Sequence, residues 1–247
     1  MKINGVDIAS VSRINGIDKT SITKLSGVSL PSGIVTAGLI MYLDARVAAS
    51  YPGSGTTWTD ISYNGNNGTL INGPTFNSGD GGSIVFDGIN DYVLTALKAN
   101  RVAFTIDIWA KLVTTTNGVN LCVDDGAGYF GLGFYNTTKK IQMACYDTSA
   151  KSAISTNVIN PNVIYNFTGT WKGGDYVNLY INGAFDSKSS TTLAPTGIRS
   201  NANVIKLCKN GPYYVNGNVY SILLYNTALT AVEVQQNFNA TKTRFGL

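Results

Sequence analysis

Apolar and polar residues alternate over residues 103–113, where Phe104, Ile106, Ile108 and Ala110 interleave with Thr105, Asp107, Trp109 and Lys111. A run of that length on a two-residue period fits a β-strand with one face on a core and does not fit a helix. Residues 163–171 form the second clear strand, and shorter candidates fall at 38–44, 83–86, 121–123, 129–135, 141–146, 176–181, 204–208 and 219–225. Gly, Asn and Asp punctuate them roughly every 8 to 12 residues, the rhythm of a sandwich or barrel. Tyr180-Ile-Asn-Gly-Ala-Phe185 predicts a hairpin, because Asn-Gly accepts the positive φ values of a tight two-residue turn. One segment leaves the pattern. Thr230-Ala-Val-Glu233 has the form of a capping box opening a short helix, with Val234 and Phe238 four apart on one face. Such a helix is expected to cover the sandwich edge.

The first 33 residues read differently. Lys2-Ile3-Asn4-Gly5-Val6-Asp7, Arg13-Ile14-Asn15-Gly16-Ile17-Asp18 and Lys24-Leu25-Ser26-Gly27-Val28-Ser29 begin eleven residues apart, and Ser10, Ser21 and Ser32 recur in phase. Each unit places Asn-Gly or Ser-Gly between aliphatic residues, a strong hairpin signal. Isolated hairpins of this size are marginal in water. Residues 1–33 are therefore expected to form a docking or oligomerisation arm presenting Ile3, Val6, Ile14, Ile17, Leu25 and Val28; a flexible leader or a first strand of the sandwich is the alternative. The main domain then occupies residues 34–247, after the Pro31-Ser-Gly33 break.

Composition supports one large all-β domain plus an arm. The chain has 247 residues, 13% of them charged, with 27 Gly and 14 Tyr, a profile of short strands and tight turns. A formal net charge of +4, scattered without a basic run, argues against a phosphate-tracking surface and hence against nucleic acid. No segment approaches the roughly 20 apolar residues of a membrane span, and the N-terminus lacks the apolar stretch of a signal peptide. The expectation is a soluble protein made in the cytoplasm. Cys122, Cys145 and Cys208 are far apart and odd in number, so they read as small buried hydrophobes rather than a disulfide framework.

Three stretches together resemble the laminin G-like, concanavalin A-type jelly-roll family. The first is Asp60-Ile-Ser-Tyr-Asn-Gly-Asn-Asn-Gly-Thr69 with Ile84-Val-Phe-Asp-Gly-Ile-Asn-Asp-Tyr-Val93. The second is Tyr165-Asn-Phe-Thr-Gly-Thr-Trp-Lys-Gly-Gly174 followed by Val177-Asn-Leu-Tyr-Ile-Asn-Gly183, and the third runs from Gly217 through Thr230 to Glu233. They cover about residues 35–242 in order and imply a jelly-roll β-sandwich. Tyr63 stands where the family usually has Gly. The repeats at the N-terminus resemble those ahead of such domains in structural proteins of tailed bacteriophages. That second resemblance implies a virion location, reached by lysis without a signal peptide, with other virion proteins as partners and capsid decoration or a fibre as the setting.

Candidate chemistry is sparse. The family's glycosidase branch uses two carboxylates about 5 to 9.5 Å apart, whereas this chain has a single glutamate, already placed as a helix cap. Asp124-Asp125 is the one adjacent pair and reads as a turn. With no histidine in the sequence, the commonest general base is missing. The expectation is a protein that is not an enzyme. Relatives of this fold often hold a cation among such loops, so Asp60, Asn64, Asn66 and Asp80 are candidates for a structural Ca²⁺; the alternative is that they only shape Asx turns. Loop aromatics Tyr129, Phe130, Tyr213 and Tyr214 are the candidates for contact with a host-surface polysaccharide. Trp109 and Trp171, on strands, read as packing groups.

Overall fold

Two antiparallel sheets take up the alternating segments. The computed structural model describes residues 30–100, 102–113, 120–124, 130–135, 138–199 and 203–247, together with four short strands near the N-terminus. Strands are numbered in chain order. Among those four, β1 (Lys2–Ile3) pairs with β2 (Val6–Asp7), and β3 (Arg13–Ile14) with β4 (Ile17–Asp18). The registers Ile3↔Val6 and Ile14↔Ile17 leave Asn-Gly as a two-residue connection in each unit. The third unit, with Leu25 and Val28, lies outside the described residues.

The first sheet of the main domain contains β6 (Thr57–Trp58), β7 (Gly68–Ile71), β10 (Tyr92–Leu94), β12 (Asn120–Asp124), β13 (Phe130–Tyr135), β14 (Lys140–Tyr146), β15 (Ala150–Ile154) and β19 (Ile205–Leu207). Their order is β15-β14-β13-β12-β19-β10-β7-β6. The second sheet contains β5 (Leu39–Asp44), β8 (Thr75–Asn77), β9 (Ser83–Asp87), β11 (Ala103–Leu112), β16 (Ile164–Lys172), β17 (Asn178–Ile181), β18 (Ala184–Lys188) and β22 (Asn216–Tyr225). It runs β18-β17-β16-β11-β22-β9-β8, with β5 also paired to β22. A two-stranded ribbon, β20 (Lys209–Asn210) with β21 (Tyr213–Tyr214), projects after β19, and α1 (Ala231–Thr241) follows β22. Non-sequential neighbours such as β11 beside β22 are the long-range pairings of a jelly roll.

Between the sheets lies one apolar core. Trp171 stacks on Phe104 at 5.0 Å and lies 5.1 Å from Phe130, each ring no more than 2% exposed. Burying a side chain of this size stabilises the fold by about 1.5–3 kcal/mol. The three cysteines are buried in the same core and none is in a disulfide, as their spacing predicts.

The second sheet is covered on its other face as well. Thr230 caps α1 by accepting from the Glu233 N–H, and the Glu233 carboxylate accepts from the Thr230 N–H at 2.8 Å, the capping box read from the sequence. Val234 packs with Tyr42, Leu223 and Tyr225 of this sheet and with Ile34 and Val35 before it. Trp109 stacks 5.5 Å from Phe238, lies 4.4 Å from Phe245, and donates its indole N–H to Thr241 at 3.0 Å. The helix therefore seals a sheet face rather than an edge, because Tyr42 of β5, Trp109 of β11 and Leu223 and Tyr225 of β22 present large side chains on that outward face. As a result Thr105, Asp107 and Trp109, polar by period, are at most 1% exposed. The Asn182-Gly183 turn of the predicted hairpin, with φ of 51° and 74°, lies against the helix so closely that a Cβ on Gly183 would sit 2.6 Å from the Phe238 Cβ. No helix among the described residues is long and apolar enough to cross a membrane.

Candidate functional site

Every carboxylate whose side chain is described is engaged by the fold. Asp44 holds Arg244 at 2.8 Å with both side chains buried, Asp80 holds Lys111 at 2.5 Å, and Asp186 accepts from Thr156. Burial opposes ionisation of Asp147. The N–H groups of Ser149 and Ala194, the Lys151 ammonium and the Thr148 N–H outweigh it and hold that carboxyl well below the usual range. In the turn after β9, burial and the charge of Asp87 push Asp91 up, while the Ile89 N–H leads the donors that hold Asp87 down. Two carboxyls with diverging acidities are a pattern of catalytic pairs. Here both accept backbone N–H groups of one tight turn, Asp87 from Ile89 and Asn90 and Asp91 from Asp87. Asp124 ends β12, and Asp125 lies outside the described residues.

The proposed cation ligands do not form a coordination set. The Asp60 carboxylate accepts the N–H groups of Tyr42 and Ser62 at 2.8 Å and of Asn66 at 2.9 Å. Those donors point their positive ends at the space a cation would need. Asn64 and Asn66 turn their amide N–H groups to the carbonyls of Leu39 and Ile40, at 3.0 and 2.6 Å. Asp80 is not brought to them: it belongs to a separate cluster with Lys111 and the Tyr220 hydroxyl. Three of the four residues thus do meet, as Asx-turn formers that staple the 60–67 loop to β5. Among the described residues no group of three or more acidic or thiol side chains is placed to hold a metal.

The aromatic candidates separate in the same way. Tyr129 lies outside the described residues. Phe130, expected in a Gly-rich loop, is instead the first residue of β13 and 2% exposed, packed on Phe104 and Trp171. Its strand alternates, with Phe130, Leu132 and Phe134 among the core residues and Gly131 and Gly133 between them, so it cannot contact a surface ligand. Tyr213 and Tyr214 occupy consecutive positions of β21 and so face opposite sides of the ribbon. Tyr213 is 48% exposed, while Tyr214 meets a lysine.

That lysine belongs to a cluster absent from the sequence-derived candidates. In the register Val93↔Leu207 and Leu94↔Lys206, Val93 and Leu207 enter the core, which leaves Tyr92, Leu94 and Lys206 on the outer face of the first sheet. Alternation alone would send Cys208 outward and Lys209 inward. Cys208 instead adopts φ +66° and is 1% exposed, a left-handed conformation that costs about 1–2 kcal/mol for a residue with a Cβ. Its thiol is pushed well up by burial. The reversal brings Lys209 out on the same side as Lys206. The Lys209 ammonium lies 4.5 Å from the Tyr92 ring centroid and 5.2 Å from that of Tyr214, and Lys206 lies 5.5 Å from Tyr92. Two lysines three apart at a strand end were visible in the sequence; the kink that aligns them was not.

The family model described as "Concanavalin A-like lectin/glucanases superfamily" matches residues 86–235. No curated protein matches the sequence. Among solved structures, the binding domain of Paraclostridial Mosquitocidal Protein 1 is similar with a TM-score of 0.64 at 19% identity, covering 82% of this chain and 52% of that one. Domain 4 of AbnA, a GH43 extracellular arabinanase from Geobacillus stearothermophilus, in complex with arabinotriose, gives 0.63 at 14% identity, covering 81% of this chain and 98% of that domain. Trypanosoma rangeli sialidase in complex with sialic acid gives 0.61 at 16%, covering 88% of this chain and 35% of the enzyme. The chain spans only about a third of the sialidase and half of the mosquitocidal binding domain.

Proposed function

The chain belongs to the concanavalin A-like lectin/glucanases superfamily, its residues 86–235 matching the family model, and on that premise we propose that it is a non-catalytic carbohydrate-binding module. The observation that carries this reading is the contrast between the two outer faces. The second sheet is sealed by α1, whereas no helix among the described residues lies over the first, which carries Tyr92, Lys206 and Lys209 with Tyr214 beside them. Tyrosine supplies a flat apolar face with a polar tip, suited to sugar rings that are apolar on one side and hydroxylated at the rim. Engagement of each described carboxylate by the fold supports a binding rather than a hydrolytic role, and the arabinotriose and sialic acid complexes lend the reading support by likeness of fold. A glycan array probed with the full chain and with Tyr92→Ala tests it. Retention of a defined set of saccharides, lost or weakened about tenfold or more in the variant, is the expected result; silence across the array would reject it.

The repeats favour a second, compatible reading. In it the sandwich is displayed on the particle of a tailed phage, as capsid decoration or part of a fibre, and residues 1–33 attach it to other virion proteins or to copies of itself. The eleven-residue period with in-phase aliphatic positions supports this, since a short ribbon needs a partner surface. Deleting residues 1–33 should abolish incorporation into particles or oligomer formation. Retention of both would remove the docking role.

A further inference from the structure

Residues 30–35 join the N-terminal repeats to the sandwich, and α1 holds them. The Asn237 carboxamide oxygen accepts the Val35 N–H at 2.9 Å, and Gln236 donates to the Gly33 carbonyl at 2.8 Å. Ile34 and Val35 pack with Val234, and a Cβ on Gly33 would lie 3.3 Å from that of Ala240. Asn237 is also the link inward: its amide donates to the Tyr225 hydroxyl at 2.8 Å, and its side chain reaches Asp107 beneath the helix. Asp107, on β11, stands in register with Thr168 of β16 and Leu223 of β22. One of its carboxyl oxygens accepts from Asn166 at 2.6 Å, while the other is buried without a hydrogen-bond partner. A carboxylate placed in this way is far costlier than a neutral carboxyl. The titratable and charged groups around it do not offset that cost. Tyr225 of β22 and Tyr42 of β5 are held neutral by burial, Glu233 of α1 is taken up by the Thr230 cap, and Asp44 of β5 is paired with Arg244 beyond α1. Lifting α1 brings water to Asp107 without unpairing a strand of either sheet, so a local opening relieves the ionised group.

We propose that α1 and residues 30–35 form a pH-gated clamp: protonated Asp107 keeps them closed on the second sheet, and its ionisation opens them as one unit, freeing the root of the N-terminal repeats. The clamp concerns the sealed face and does not depend on the saccharide reading. Burial, opposed by hydrogen bonds from Asn166, Asn237 and Thr168, raises the Asp107 pKa from 3.8 to about 6 in the closed state. Closure is therefore fully favoured below about pH 4 and weakens as pH rises through about 6, by about a hundredfold in all. About thirtyfold of that falls between about pH 4.5 and about pH 8. Hydrogen exchange of the full chain, read by mass spectrometry and corrected for the intrinsic pH dependence of amide exchange, tests the clamp. Peptides covering residues 231–241 and 30–35 should lose about thirtyfold in protection over that range. At pH 8 they should be at least about tenfold less protected than β14 of the first sheet. Asp107→Asn should abolish the pH dependence at α1. If that variant does not fold, the comparison of α1 with β14 in the unaltered chain carries the test. Protection at α1 that ignores pH, or the same pH dependence in folded Asp107→Asn, would overturn the clamp. Loss of protection at α1 and β14 to one level would mark global unfolding and overturn it too, as would loss at α1 with residues 30–35 still protected.

Discussion

Asp107 is the residue whose placement most contradicts its sequence context. On β11 it alternates with core residues and so belongs to the face expected to meet water, yet α1 covers that face. One carboxyl oxygen accepts from the Asn166 amide at 2.6 Å and the other has no hydrogen-bond partner. Burial, opposed by hydrogen bonds from Asn166, Asn237 and Thr168, pushes its pKa up to about 6. Because the folded-state value lies above the unfolded one, this group's contribution to stability is fully present below about pH 4 and is lost as pH rises through about 6. Two pKa units correspond to roughly 3 kcal/mol at neutral pH. Asp107→Asn should therefore raise the melting temperature at pH 8 and change it little at pH 4; a shift of the same size at both values would refute the assignment. Tyr63 carries a smaller strain. It adopts φ +66°, a conformation glycine reaches without a Cβ penalty, so Tyr63→Gly should be about 1 kcal/mol more stable than Tyr63→Ala by urea denaturation. At this scale the sequence misleads where burial depends on an element far along the chain, as at Asp107, and where glycine is a strand residue rather than a turn, as around Phe130.

Elements were the most legible level. The 103–113 and 163–171 runs, the Asn182-Gly183 hairpin and the Thr230 capping box are all present near their expected bounds, since each depends on local periodicity or turn chemistry. What α1 rests on was not legible, because that depends on outward residues of three strands distant in sequence. Asn237 shows how tightly the helix is bound in: its carbonyl oxygen accepts the Val35 N–H at 2.9 Å and its amide donates to the Tyr225 hydroxyl at 2.8 Å. Asn237→Ala would leave both buried partners unsatisfied, and a loss of about 2–4 kcal/mol in urea unfolding is expected. Beyond the helix, Arg244 links Asp44 to the Gly81 and Gly82 carbonyls. Arg244→Ala strands a buried Asp44 charge and should cost about 3–5 kcal/mol, whereas a change under about 1 kcal/mol would mean that the C-terminal turn contributes little to the fold.

For the whole molecule, one sheet face is closed and the other carries the tyrosine–lysine cluster. The jelly roll followed from turn spacing and from the three motif stretches, and in the Asn/Gly loop expected to hold a cation the Asp60 carboxylate accepts the backbone N–H groups of Tyr42, Ser62 and Asn66. The tyrosine–lysine face proposed to take a ligand was the least legible part. It joins residue 92 to residues 206–214 across two paired strands and depends on a backbone reversal at Cys208 that no residue-type rule predicts. The central claim is that this face binds saccharide, and the most direct measurement is a glycan array of the full chain beside Tyr92→Ala at matched folded fraction. Defined saccharide binding by the unaltered chain, reduced about tenfold or more in the variant, is the predicted result. An array with no saccharide bound, or binding indifferent to the loss of the Tyr92 ring, would contradict it.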